Sequence, residues 1–132
     1  MPNMADITVK KSDGTTNITF TAVNPSGGDR SVALWRSNSV ATYAAGKPSL
    51  QCSSKSSANG QQRLVNWKLI YPYSVTDTNG ITRVQSQMIA SATITVPAIM
   101  PDTVVAEAAA EFGNLLASSL ANSVNNTGFA PN

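Results

Sequence analysis

The chain reads as an α+β protein. An N-terminal β-hairpin and an antiparallel sheet meander precede a C-terminal amphipathic helical arm. Three observations predict this. Runs of alternating apolar and polar residues fill the first two thirds. Polar turn segments containing Asp-Gly or Asn-Gly separate several of them. After Pro97 the apolar spacing lengthens from two residues to between three and four. At 132 residues the chain is one domain, with 1–97 as hairpin and sheet and 98–132 as helical arm and tail.

Residues 6–11 (DITVKK) and 16–23 (TNITFTAV) flank the turn SDGT and form the first hairpin. NPSGGD is a loop, and residues 31–36 (SVALWR) form a short strand. SNSVATYAAGKP is a looser connection ending at Pro48. Residues 49–55 (SLQCSSK) set Leu50 and Cys52 opposite Ser49, Gln51, Ser53 and Lys55. SSANGQ turns the chain into residues 62–72 (QRLVNWKLIYP). There Val65, Trp67, Leu69 and Tyr71 share one parity, Asn66 and Lys68 take the other, and Pro72 is expected to stop the run. Ser74, Val75, Thr76, Asp77, Thr78, Asn79 and Gly80 read as a polar loop. Residues 84–96 (VQSQMIASATITV) form a long strand with Met88, Ala90, Ala92, Ile94 and Val96 on one side. Gln85, Gln87, Ile89, Ser91, Thr93 and Thr95 lie on the other.

Pro101 and Asp102 read as a stop and an N-cap. Val104, Val105, Ala108, Ala109, Phe112, Leu115 and Leu116 then fall within about 140° of a helical wheel. Gly113 is expected to bend that helix, and SLANSV continues it weakly. A helix of about 17 residues is roughly 25 Å long and about 10–12 Å wide. Five or so strands at ~4.8 Å spacing make a sheet about twice that width. One helix cannot dry such a face, so a second copy must cover the rest. The chain is expected to be an obligate dimer.

Charged residues make up only 12% of the chain, against about 25% usually. A surface this poor in charge suits a chain mostly covered by other copies. The net charge of +2 is unevenly spread. From Arg30 to Arg83 seven basic residues meet one acid, Asp77, whereas residues 98–132 hold three acids and no base. A basic middle suits a polyanion such as nucleic acid. Cys52 is the only cysteine, which excludes an intrachain disulfide and fits a reducing compartment. No apolar run nears the ~20 residues of a membrane span. The segment MPNMADITVKK lacks the sections of a signal peptide, so a cytoplasmic setting is expected.

The chemistry of catalysis is missing. There is no histidine, and the seven acids are dispersed. Cys52 has no histidine base and reads as a small core residue. No Gly-rich phosphate loop or metal-ligand spacing occurs, so neither enzyme activity nor a metal or cofactor is predicted. The polar sheet parity remains: Ser49, Gln51, Ser53, Lys55, Asn66, Lys68, Gln87, Ser91 and Thr93. Cations for phosphate and small polar groups for unstacked bases suit RNA. The same pattern fits a sheet face turned to water, and aromatic side chains for base stacking are missing from it.

VALWRSNS (32–39) is similar to a strand of the coat proteins of single-stranded RNA bacteriophages, the leviviruses, that ends in Trp and Ser/Asn. Residues 49–72 resemble that family's central hairpin, including the cysteine, the Ser-rich turn and the Lys-x-x-x-Pro ending. TRVQSQMIASATITVP and the later LLASSL resemble its last strand and helical arm. The resemblance implies an N-terminal hairpin lying over the sheet, and an interlocked homodimer with one continuous sheet facing RNA. Trp67, Val105, Phe112, Leu115 and Leu116 are then expected to pack in the dimer. It also implies an icosahedral, usually T=3, virion shell assembled in the bacterial cytoplasm, with an operator hairpin bound to repress replicase translation. Ser74 to Gly80 would form the loop between dimers. Residue by residue, the base pocket corresponds to Val32, Gln51, Ser53, Asn66 and Lys68, and Lys55 matches a phosphate-contacting Arg. Arg63, Ser91 and Thr93 complete the expected RNA-binding set. Ile89 stands where a base-stacking Tyr is expected, and Ser91 replaces a larger polar residue. The alternative function is a β-sheet RNA-binding module that does not assemble.

Overall fold

A computed structural model of the chain describes residues 2–39 and 43–132. Its elements are β1 (Ile7–Lys10), β2 (Asn17–Asn24), β3 (Val32–Ser37), a 3-10 turn (Ala44–Gly46), β4 (Ser49–Ser56), β5 (Gln62–Thr76), β6 (Thr82–Pro97), α1 (Asp102–Leu116) and α2 (Ser119–Thr127). The six strands form one sheet in sequence order, the meander expected from the alternation. Of the connection between β3 and β4, residues 40–42 lie outside the described residues.

Three hairpin turns use one device. Gly14, Gly60 and Gly80 each take a left-handed φ, +74°, +69° and +79°, which other residues adopt only with strain. Each donates its N–H to the carbonyl three residues back, on Lys11, Ser57 and Asp77 respectively. An aspartate or asparagine before each glycine fastens the turn. Asp13 Oδ1 accepts from Thr15 N and Thr16 N, and Asp77 Oδ1 accepts from Asn79 N and Ile81 N. Asn59 Oδ1 accepts from Gln61 N.

The sheet curls on itself at its N-terminal end. A register irregularity between Ala22 and Asn24 bends β2. The indole Nε1–H of Trp35 on β3 then donates to Ala5 O at 2.8 Å, although β2 separates β3 from β1 in the sheet. Asp6 Oδ1 accepts from Ala22 N at 2.9 Å. Phe20, Ala33 and Trp35 are buried within this curl, with Met4, Ile7, Ile18, Ala22, Leu50, Cys52, Trp67 and Leu69 packed around them. Trp35 and Trp67 stack with ring centroids 6.1 Å apart. The apolar parity read for β3, β4 and β5 is thus one contiguous face, whereas Met88 and Ala90 on β6 stay exposed.

The structure corrects four boundaries. Pro72 does not stop the strand, because β5 continues to Thr76. The last β4 partner of β5 is Ile70, opposite Ser49, so Pro72 lies beyond that ladder and its missing N–H costs no bond to β4. Ser74, Val75 and Thr76 therefore belong to β5, and the turn is only residues 77–81. Asp102 is not the N-cap of α1. Pro101 is, with extended backbone, its carbonyl accepting from Val104 N and Val105 N. Asp102 sits in the first turn, where its charge suits the helix dipole. Gly113 stays inside α1, and the break comes at Ala117–Ser118, where the Ser118 hydroxyl caps α2 by accepting from Ala121 N.

Residues 1–95 and 96–132 form separate compact units. In the second, α1 and α2 contain no buried residue. Phe112, Leu115 and Leu116 are exposed, and Val105 is half-buried.

Candidate nucleic-acid interface

Pairing registers decide which predicted residues meet. Lys68 on β5 lies opposite Gln51 on β4, which lies opposite Leu34 on β3. One row along, Asn66, Ser53 and Val32 align in the same way. Beyond them Lys55 faces Leu64. Thr93 Oγ1 donates to Asn66 Oδ1 at 2.8 Å, which ties β6 to this row. Ser91 shares Thr93's parity and is exposed. Val32, Gln51, Ser53, Lys55, Asn66, Lys68, Ser91 and Thr93 thus share one face, opposite Trp35, Leu50, Cys52 and Trp67.

Arg63 does not join them. It pairs with Ser56 and has the parity of Val65 and Trp67. Its Nη2 lies 2.7 Å from Asp29 Oδ1, in an ion pair whose side chains are about half exposed, 51% and 50%. Arg30, with φ +68°, donates its N–H to Ser54 O at 2.8 Å, which brings the preceding loop to the β4–β5 hairpin. The Arg63 hydrogen bond holds the Asp29 carboxyl below its ordinary pKa range. Its charge already spoken for, Arg63 fastens a loop on the reverse face.

The polar face has a one-sided electrostatic character. β3 to β6 carry no carboxylate. Lys55 and Lys68 are exposed, and among the described residues neither is in an ion pair. Gln51, Ser53 and Asn66 between them are half-buried and uncharged. The Asn66 carbonyl is occupied by Thr93, so its NH2 group is the free end. Cys52 lies on the reverse parity, half-buried, and burial raises its thiol pKa, which disfavours the reactive thiolate.

One residue escaped the sequence-based set. Arg36 pairs with Ser49, which pairs with Ile70, so it stands one row beyond Lys68 on the same face. Its parity with Val32 was the available signal. The expected loop between dimers shrinks to the turn at 77–81, and Ile89 is 52% exposed on β6. A concavity of about 1120 Å³ is lined by Tyr43, Tyr71 and Tyr73, but by no charged residue among those described. Among the described residues no cluster could hold a metal ion.

The architecture has clear counterparts. The virus-like particle subunit of Beihai levi-like virus 21 superposes with a TM-score of 0.83 at 20% identity, covering 99% of each chain. That of bacteriophage NT-214 gives 0.80 at 18% identity, covering 98% of this chain and 99% of its own. The fold is that of a levivirus-type coat protein. The bacteriophage GA capsid protein gives 0.72 at 21% identity, covering 93% and 94%. No family model and no curated protein matches the sequence. The coat-protein fold was therefore legible in element order and spacing despite identities of about a fifth.

Proposed function

We propose that this chain is the structural coat subunit of a small RNA bacteriophage. Homodimers assemble into an icosahedral T=3 virion shell in the bacterial cytoplasm, and the polar sheet face holds genomic RNA. The observation that carries the assembly role is the whole-chain match to subunits of virus-like particles. Dimerisation is supported by β6, a 16-residue edge strand exposed over most of its length. An isolated chain leaving such an edge open is a template for pairing, and a second β6 satisfies it while continuing the sheet. Trp67, Val105, Phe112, Leu115 and Leu116 then become the buried dimer contacts. The turn at 77–81 forms contacts between dimers.

RNA binding is supported by the carboxylate-free face and its unpaired Lys55 and Lys68. An operator hairpin bound there represses replicase translation. Electron microscopy of the purified recombinant protein should show closed shells containing host RNA. Dimers without shells refute the coat role. Lys55→Ala with Lys68→Ala should lower packaged RNA and flatten the salt dependence by about 1.4, at roughly 0.7 per lost single-strand contact. Unchanged RNA content and slope refute the RNA-binding role.

A further inference from the structure

We propose that Arg36 is a third phosphate contact of the sheet face, extending a single-stranded RNA footprint from Lys55 and Lys68 across β3. This assignment rests on the RNA-binding role proposed above. The register puts Arg36 beside Ser49 and Ser49 beside Ile70, on the face that Lys68 shares. Strand spacing and rise place the Arg36 and Lys68 backbones about 12 Å apart, and those of Lys68 and Lys55 about 14 Å apart. Arg36 is half-buried, and Leu34 lies two residues before it on the same face. Among the described residues its guanidinium is in no ion pair. Its fixed fork of five donors matches the geometry of phosphate oxygens.

The three cations flank uncharged Gln51, Ser53 and Asn66. Charge at the corners and amides between them suit a chain that alternates phosphate with base. The competing anion is the acidic 98–132 segment of another copy, with Asp102, Glu107 and Glu111. In that case Arg36 would be a subunit contact, so the test must separate the two.

Full-length dimers are titrated with a uridine oligonucleotide over a range of salt. Arg36→Gln should reduce the salt slope by about 0.7 and weaken binding about 5-fold near 0.1 M salt, while Arg36→Lys keeps the slope. In the wild-type chain a 4-thiouridine oligonucleotide should photo-crosslink to the peptide containing β3. An unchanged slope in Arg36→Gln, beside a reduced one in Lys68→Ala, overturns the Arg36 assignment and leaves the RNA-binding role standing. Crosslinks confined to β4–β6 overturn it as well, whether or not the variants fold. Altered dimer sedimentation with RNA binding intact makes Arg36 a protein contact. A wild-type chain with no salt-dependent RNA binding removes the whole site.

Discussion

Trp35→Phe tests the tie that closes the curled end of the sheet. Phenylalanine keeps an aromatic ring in the slot facing Trp67, where the Trp35 ring centroid lies 6.1 Å from that of Trp67, but cannot donate to Ala5 O. A net hydrogen bond contributes about 0.5–1.5 kcal/mol. Ala5 is exposed, so water can solvate its freed carbonyl and the loss should be about 1 kcal/mol. The lost pyrrole portion removes apolar burial worth about one or two methylenes, at ~0.8 kcal/mol each. The expected total is about 2 kcal/mol, of which about 1 kcal/mol acts on the segment before β1. That smaller part predicts roughly 5-fold faster amide exchange in β1 and β2. Exchange is measured by mass spectrometry at fixed protein concentration, because association changes apparent stability. Global destabilisation with unchanged exchange in β1 and β2 would refute Trp35 as the clamp.

Two further outcomes follow from the geometry. Thr16 and Thr15 hydrogen bonds lower the Asp13 pKa from 3.8 to about 2. Its contribution to the first hairpin is therefore full above the unfolded pKa and lost as pH falls from about 4 through about 2; carboxyl NMR should show that midpoint, and Asp13→Asn should remove the acid sensitivity. Ile89→Tyr adds a stacking platform to the parity of Thr93, and should tighten single-stranded RNA binding roughly 5- to 150-fold, from ~1–3 kcal/mol per stacked base. No gain would mean that bases do not pass over β6.

Alternation made the strands, their facing and their order legible, because a half-buried strand repeats every two residues whatever its partners. What failed were features set by neighbours. Pro72 looked like a stop, yet a proline is tolerated where the adjoining strand has already ended. Ser74 to Thr76 looked like loop because they are polar, but they extend a hairpin whose turn is fixed by Asp77 and Gly80. Arg63 was grouped by charge with Lys68 although its parity is that of Trp67. Its partner Asp29 is 34 residues away and meets it only through the fold. Arg36 was missed for the converse reason, because only the β3–β4 register shows what it stands beside.

Low charge, a thin core and a long open edge are one property seen at three levels. Among the described residues the buried apolar side chains are few, Phe20, Ala33 and Trp35 with the prolines Pro48 and Pro72. Such a core leaves little to offset the conformational entropy of ordering more than a hundred residues. Under the proposed dimer, the apolar side chains of α1 and the backbone groups of β6 supply the missing burial and hydrogen bonds when another copy arrives. In that dimer folding and association would be a single equilibrium, and stability should rise with concentration. A surface rich in charge would oppose that association through self-repulsion. Under the proposed RNA-binding role, the cations that remain on the sheet are tolerated because RNA arriving with the assembly neutralises them. On this account removing RNA should weaken particles more in low salt than in high salt, where counterions already screen Arg36, Lys55 and Lys68. Disassembly of emptied and filled particles across salt measures it, and equal salt responses would separate the face's charge from assembly.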